Sequence, residues 1–186
     1  MTKYYLEWKN VGIESGSPWQ HFYLVKRDEI FVGPDAVKLY WESGDVIRGG
    51  PSINPAGGYV ITETGKLSLS SDAMPSTGRP PERGSVEITS QITLSMWNDM
   101  VGLAPKVDLA KYDYELPFAD QGTVTNSNAV ILTLLNAVGV DIREINGISN
   151  LNVPGAGGSS PTLLGFGVEK GIVASENLKS GVNIQG

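Results

Sequence analysis

His21, the only histidine of the chain, and Ser127, at the head of its most regular helical stripe, are the residues whose types and spacing could do chemistry together. A serine in the first turn of a helix sits beside unpaired amide donors and the positive end of the macrodipole, which favours a developing alkoxide and an oxyanion hole. An imidazole on a neighbouring strand could take the hydroxyl proton within about 3 Å, with a third polar group to orient the ring. Glu63, Asp45 and Asn128 are candidates for that group, and Glu63 comes first because it ends a strand expected near that of His21. The same residues also suit structural work. Thr125-Asn126-Ser127-Asn128 is made of types that cap helices, and a strand histidine is often a satisfied core or surface group.

A second motif is Val46-Ile-Arg48-Gly49-Gly50-Pro51. Its paired glycines could expose amide donors to an anion or oxyanion, with Arg48 attracting a carboxylate, or could form an ordinary tight turn. Pro154-Gly-Ala-Gly-Gly-Ser-Ser160 lacks the Gly-Lys-Ser/Thr ending of a phosphate loop and reads as a plain loop. No Asp-x-Asp-x-Asp-Gly calcium loop occurs, and Asp113, Glu115 and Asp120 read as solvated charge. Trp8, Trp19, Tyr40, Trp41 and Trp97 could line a groove, although such spacings usually mark core.

Composition narrows the chemistry further. With no cysteine and one histidine, thiol nucleophiles, disulfides, iron–sulfur clusters and zinc sites of the usual ligands are excluded, so neither a metal nor a cofactor is expected. A net charge of −6, with no basic run longer than Lys26-Arg27, argues against a nucleic-acid partner. The opening Met1 to Lys9 does not read as a signal peptide, and no apolar run approaches the ~18 residues of a membrane span. The pattern leaves oligomeric state open.

The elements that must position these residues follow from periodicity. Glycine (23) and proline (11) are abundant in the 186 residues, which implies many turns and few long helices. Strands are expected at 4–8, 19–26, 30–32, 37–42, 45–48, 59–63 and 85–89, in a meandering antiparallel sheet. The strand of His21 has apolar residues on both faces and should be central. The Ser-, Gly- and Pro-rich stretch 65–84 reads as a long surface loop. A helix is expected from Thr93 to Leu103, interrupted near Pro105. The second runs from Asn126, with Ser127, Ile131, Leu134 and Val138 on one stripe and Gly139 at its left-handed end. A hairpin is expected around Asn146-Gly147, joining 141–145 to 148–153. The fold class is therefore α+β, an antiparallel sheet packed against one or two helices, over residues 1–158, with 159–186 as a Gly/Ser/Asn-rich tail or linker.

A histidine on an early strand, then Tyr112 or Tyr114, then Asn126-Ser127-Asn128 opening a helix, resembles the permuted papain-like hydrolases. These include the PPPDE isopeptidases, the lecithin retinol acyltransferase relatives and the related NlpC/P60 enzymes, with Ser127 standing where the family has its nucleophilic cysteine. The segments His21-Phe-Tyr-Leu-Val25, Val46 to Pro51, Thr62-Glu63 and Asn126 to Val130 also resemble an uncharacterised bacterial domain of large secreted or toxin-like proteins. The resemblance implies a papain-like fold with Ser127 as nucleophile and His21 as base, and Glu63, ranked first among the candidate third groups, completes the expected catalytic set. Asn126, Asn128 and Arg48 are then expected on the substrate and oxyanion side. The substrate would be a peptide, a peptidoglycan-type amide or a lipid ester, in a secreted or cell-surface setting. A hydroxyl ionises far less readily than a thiol. Hence either the site is built around oxygen, or the scaffold is a catalytically inactive binding module.

Overall fold

The computed structural model describes residues 1–10, 20–28, 36–53, 57–73, 82–114 and 126–146. Five strands, β1 (Lys3–Asn10), β2 (Gln20–Arg27), β3 (Asp45–Ile53), β4 (Gly57–Lys66) and β5 (Arg83–Glu87), form one antiparallel sheet in the order β4-β3-β2-β1-β5. With helices α1 (Ala36–Glu42), α2 (Leu94–Ala110) and α3 (Ser127–Ala137), this is an α+β fold, and β2 is its central strand.

The alternation along β2 divides the interior in two. Phe22 and Leu24 join Leu6, Ile47 and Val60 beneath α2 and α3, in the larger core. Tyr23 and Val25 form a smaller cluster on the other face with Val46 and Leu67. That second face also carries the buried pair of Arg27 Nη1 and Glu7 Oε1, 2.6 Å apart. Burial pushes the Glu7 carboxyl above its ordinary range, and the neighbouring Arg27 charge only partly opposes it.

Four local expectations are corrected. Residues 37–42 belong to the short helix α1 rather than a strand. Its Tyr40 carbonyl, of the kind a helix end leaves unpaired, accepts from Arg27 Nε at 3.0 Å and Nη2 at 2.7 Å. Helix α2 does not stop near Pro105 but runs on to Ala110, with Thr93 capping its start. A proline inside a helix costs about 3 kcal/mol. Trp97, Met100, Leu103 and Val107, all buried, contribute about 1.5–3 kcal/mol each and outweigh it. Within 65–84, β4 extends to Lys66, and a 3₁₀ turn at Leu67–Leu69 anchors the chain through buried Leu67, so this stretch is not wholly a surface loop. Residues 142–144 form another 3₁₀ turn where the first hairpin strand was expected, because Ile142 and Ile145, three apart, both turn inward.

Helix α3 starts and stops as its sequence implies: Asn126 caps it and Gly139 takes φ 83° just beyond its end. It is buried on every face from Ser127 to Leu135 rather than along one stripe. The expected turn at 14–18, the strand at 30–32, Trp19, Glu115, Asp120, Thr125, the second hairpin strand, the 154–160 loop and the 159–186 tail lie outside the described residues.

Candidate active site

The pairing of β2 with β3 ends at Tyr23–Arg48, although both strands run on. At this parting the first turn of α3 presses onto β3. A Cβ at Gly49 would stand 2.7 Å from the Ser127 carbonyl oxygen and 2.9 Å from Val130 Cβ. On the opposite face a Cβ at Gly50 would meet the Arg48 guanidinium at 2.9 Å. The glycine pair is thus neither a tight turn nor an anion cradle. It lies inside β3, where the missing side chains admit a helix on one face and an arginine on the other.

At this junction His21 and Ser127 meet. His21 Nδ1 lies 2.8 Å from Ser127 Oγ, and both residues are buried, at 5% and 6% exposure. On the other side of the ring, Nε2 lies 3.0 Å from Asp72 Oδ2. An ionised carboxylate only accepts hydrogen bonds, so Nε2 carries the ring proton and Nδ1 presents its lone pair to the serine hydroxyl. Serine, histidine and aspartate are therefore joined in one hydrogen-bonded row. The ring is used in the opposite sense from the chymotrypsin-like triad, where Nε2 faces the serine.

The third group is Asp72 rather than Glu63, Asp45 or Asn128. Glu63 lies on β4, and β3 stands between it and β2; its Oε2 pairs instead with Arg48 Nη1 at 2.9 Å. Asp45 is held by Lys26 and Lys66 at the far end of β3. Asp72 reaches the histidine from the chain after the 3₁₀ turn. Leu67 is packed beneath the sheet there, Ser70 N–H donates to the Leu67 carbonyl at 3.0 Å, and Asp72 N–H donates to Ser70 Oγ at 3.1 Å. Arg83 Nη1 donates to the Asp72 carbonyl at 2.8 Å and ties this turn to β5.

Two cations hold Asp72 charged. Arg48 Nε donates to Oδ2, and Lys9 Nζ lies 2.7 Å from Oδ1. Burial by itself would raise the Asp72 pKa, but the pull of His21, Arg48 and Lys9 prevails and holds the carboxyl well below its ordinary range. For His21 burial prevails: it lowers the ring below its ordinary 6.5 despite the Asp72 charge, and Arg48 and Lys9 lower it further. At neutral pH the ring is therefore uncharged, as a general base must be.

The residues expected to face substrate have other partners. Arg48 lies between Asp72 and Glu63. Asn126 Oδ1 accepts from the amides of Asn128 and Ala129 at 2.9 and 3.1 Å, as the cap of α3. Asn128 binds the main chain of β2, accepting from Phe22 N–H at 2.8 Å and donating to the Gln20 carbonyl at 2.9 Å. The Asn126 cap leaves the Ser127 amide, first in the helix, as the donor nearest the hydroxyl.

Among the described residues no three acidic or histidine side chains converge as metal ligands, and no helix is long and apolar enough to cross a membrane. Comparison with known protein families, curated proteins and solved structures finds no match to this chain.

Proposed function

We propose that the chain is a serine-dependent hydrolase or acyltransferase that acts at an amide or ester carbonyl in a papain-like arrangement. The observation that carries this reading is the row Ser127 Oγ, His21, Asp72, with a nucleophile at a helix start and its base on the central strand. The ionised carboxylate behind the ring answers the weakness of a hydroxyl nucleophile, because it stabilises the imidazolium formed as the oxygen attacks.

In the first step Ser127 Oγ attacks the carbonyl carbon and its proton passes to His21 Nδ1. The oxyanion forms beside the Ser127 amide and the positive end of α3. The tetrahedral intermediate collapses, the leaving amine or alcohol takes the proton from His21, and an acyl-serine ester remains. Water, or an acceptor nucleophile in a transferase, then gives its proton to Nδ1 and attacks the ester. The second tetrahedral intermediate breaks its bond to Ser127 Oγ, which takes that proton back from Nδ1, and the acid or transferred acyl product departs. Peptides, peptidoglycan-type amides and lipid esters are the substrate classes in keeping with this carbonyl chemistry.

A fluorophosphonate probe tests the proposal. The expected result is a covalent adduct on Ser127 that is absent from Ser127→Ala and His21→Ala. A folded wild-type chain that takes no label would overturn it and leave a binding module.

A further inference from the structure

Two strands of a sheet that part leave main-chain groups that need new partners. Continuing the β2–β3 register past Tyr23–Arg48 would set Phe22 against Gly49 and Gln20 against Pro51. Pro51 has no N–H to give the Gln20 carbonyl. Gly49, meanwhile, is pressed against the first turn of α3. Asn128 takes two of the groups left on that side: its Oδ1 accepts from Phe22 N–H and its Nδ2 donates to the Gln20 carbonyl. One carboxamide, with an acceptor and a donor side by side, thus continues the ladder.

The two bonds bracket His21, which lies between Gln20 and Phe22, while Asn128 directly follows Ser127 on the helix. We propose that Asn128 is a positioning residue for the serine–histidine pair: its clamp on both sides of His21 sets the imidazole at hydrogen-bonding distance from the preceding hydroxyl. The role rests on the reading of Ser127 as nucleophile and His21 as base. The two bonds that Asn128 makes to β2 go to its main chain, not to the Ser127 hydroxyl or the His21 ring. The bond to Phe22 and the helix start are buried and the bond to Gln20 is part-buried, so solvent is a poor substitute for the missing side chain.

The test compares wild type with Asn128→Ala and Asn128→Asp. Asn128→Asp keeps the acceptor for Phe22 and loses the donor for Gln20. Because the chain has one histidine, its ring ¹⁵N resonances belong to His21 without assignment. The expected result is a folded Asn128→Ala chain in which the Nδ1 resonance moves toward that of a ring without a hydroxyl donor. Fluorophosphonate labelling of Ser127 should slow about 100-fold, the scale of a small misplacement of reacting groups. Asn128→Asp should fall between. If Asn128→Ala does not fold, Asn128→Asp is read by the same two measures. Variants that lose thermal stability but keep wild-type ring resonances and labelling rate would overturn the proposal, since a merely structural contact moves neither. A wild type that never labels would defeat the hydrolase reading alone. The ring resonances would still decide whether Asn128 positions His21.

Discussion

The main chains of Gly49 and Ser127 touch: a Cβ on Gly49 would stand 2.7 Å from the Ser127 carbonyl oxygen and 2.8 Å from its Cα. Neither of those atoms belongs to a side chain that could swing aside. Gly49→Ala should therefore push the head of α3 off the sheet and cost about 1–3 kcal/mol. Thermal unfolding should show it at about 2–4 °C per kcal/mol. Labelling of Ser127 should slow in the folded chain as well. An alanine variant with wild-type melting and wild-type labelling would contradict this close approach.

Asp72 and Glu63 should separate under neutral substitution. Asp72→Asn removes the charge behind His21 and can stabilise the wrong tautomer, so labelling should fall by about 10²–10⁴-fold. Glu63→Gln breaks only a partly exposed pair with Arg48, worth about 0–1 kcal/mol, and should leave labelling within a few-fold of wild type. The reverse order would return the third position to Glu63.

The pH dependence has a definite sign. His21 is held below 6.5 when folded, so the unfolded chain takes up that proton first as the pH falls. Its contribution to stability is full above pH 6.5 and is lost as the pH drops from there through the folded value. With the neutral ring as the proposed base, labelling should rise with pH through a midpoint below 6.5, and the His21 NMR titration should share it. A midpoint above 6.5 would show that the Asp72 charge outweighs burial. Asp72 adds an acid-side loss below its ordinary 3.8, which should be missing from Asp72→Asn.

The Arg27–Glu7 pair makes no hydrogen bond or ion pair to Ser127, His21 or Asp72 among the described residues and should affect stability alone. Arg27→Ala leaves Glu7, fully buried, without its counter-charge, at a cost of about 3–5 kcal/mol by denaturant unfolding. The double variant Arg27→Met with Glu7→Gln should recover most of that loss. If Arg27→Ala is nearly neutral, the pair is not insulated from water.

The meeting of His21 with Ser127 was legible in the chain because both signals are local. Alternation made β2 central, and Asn126 with Gly139 bounded α3. Asp72 was not legible by the same means. It lies in a Ser- and Pro-rich stretch that resembles any surface loop, and its burial depends on Leu67 packing under a sheet whose order periodicity does not reveal. A faint sign existed, since Asp72 is the sole carboxylate between Glu63 and Glu82. Arg48, Asn126 and Asn128 were expected on the substrate side, yet Arg48 holds two carboxylates of the chain, Asn126 is the cap its type allows and Asn128 binds the β2 main chain, because residue type alone does not show which partner a polar side chain takes. Pro105 misled in the other direction, since tertiary packing outweighed a local rule.

Hydroxyl, ring and carboxylate come from distant parts of the chain, 106 residues separating the first two and 51 the last two. The shortest contiguous stretch that carries all three runs from His21 to Ser127. On the proposed reading, reactivity at Ser127 reports the assembly of all three, and the denaturant concentration that halves it should coincide with the midpoint of global unfolding.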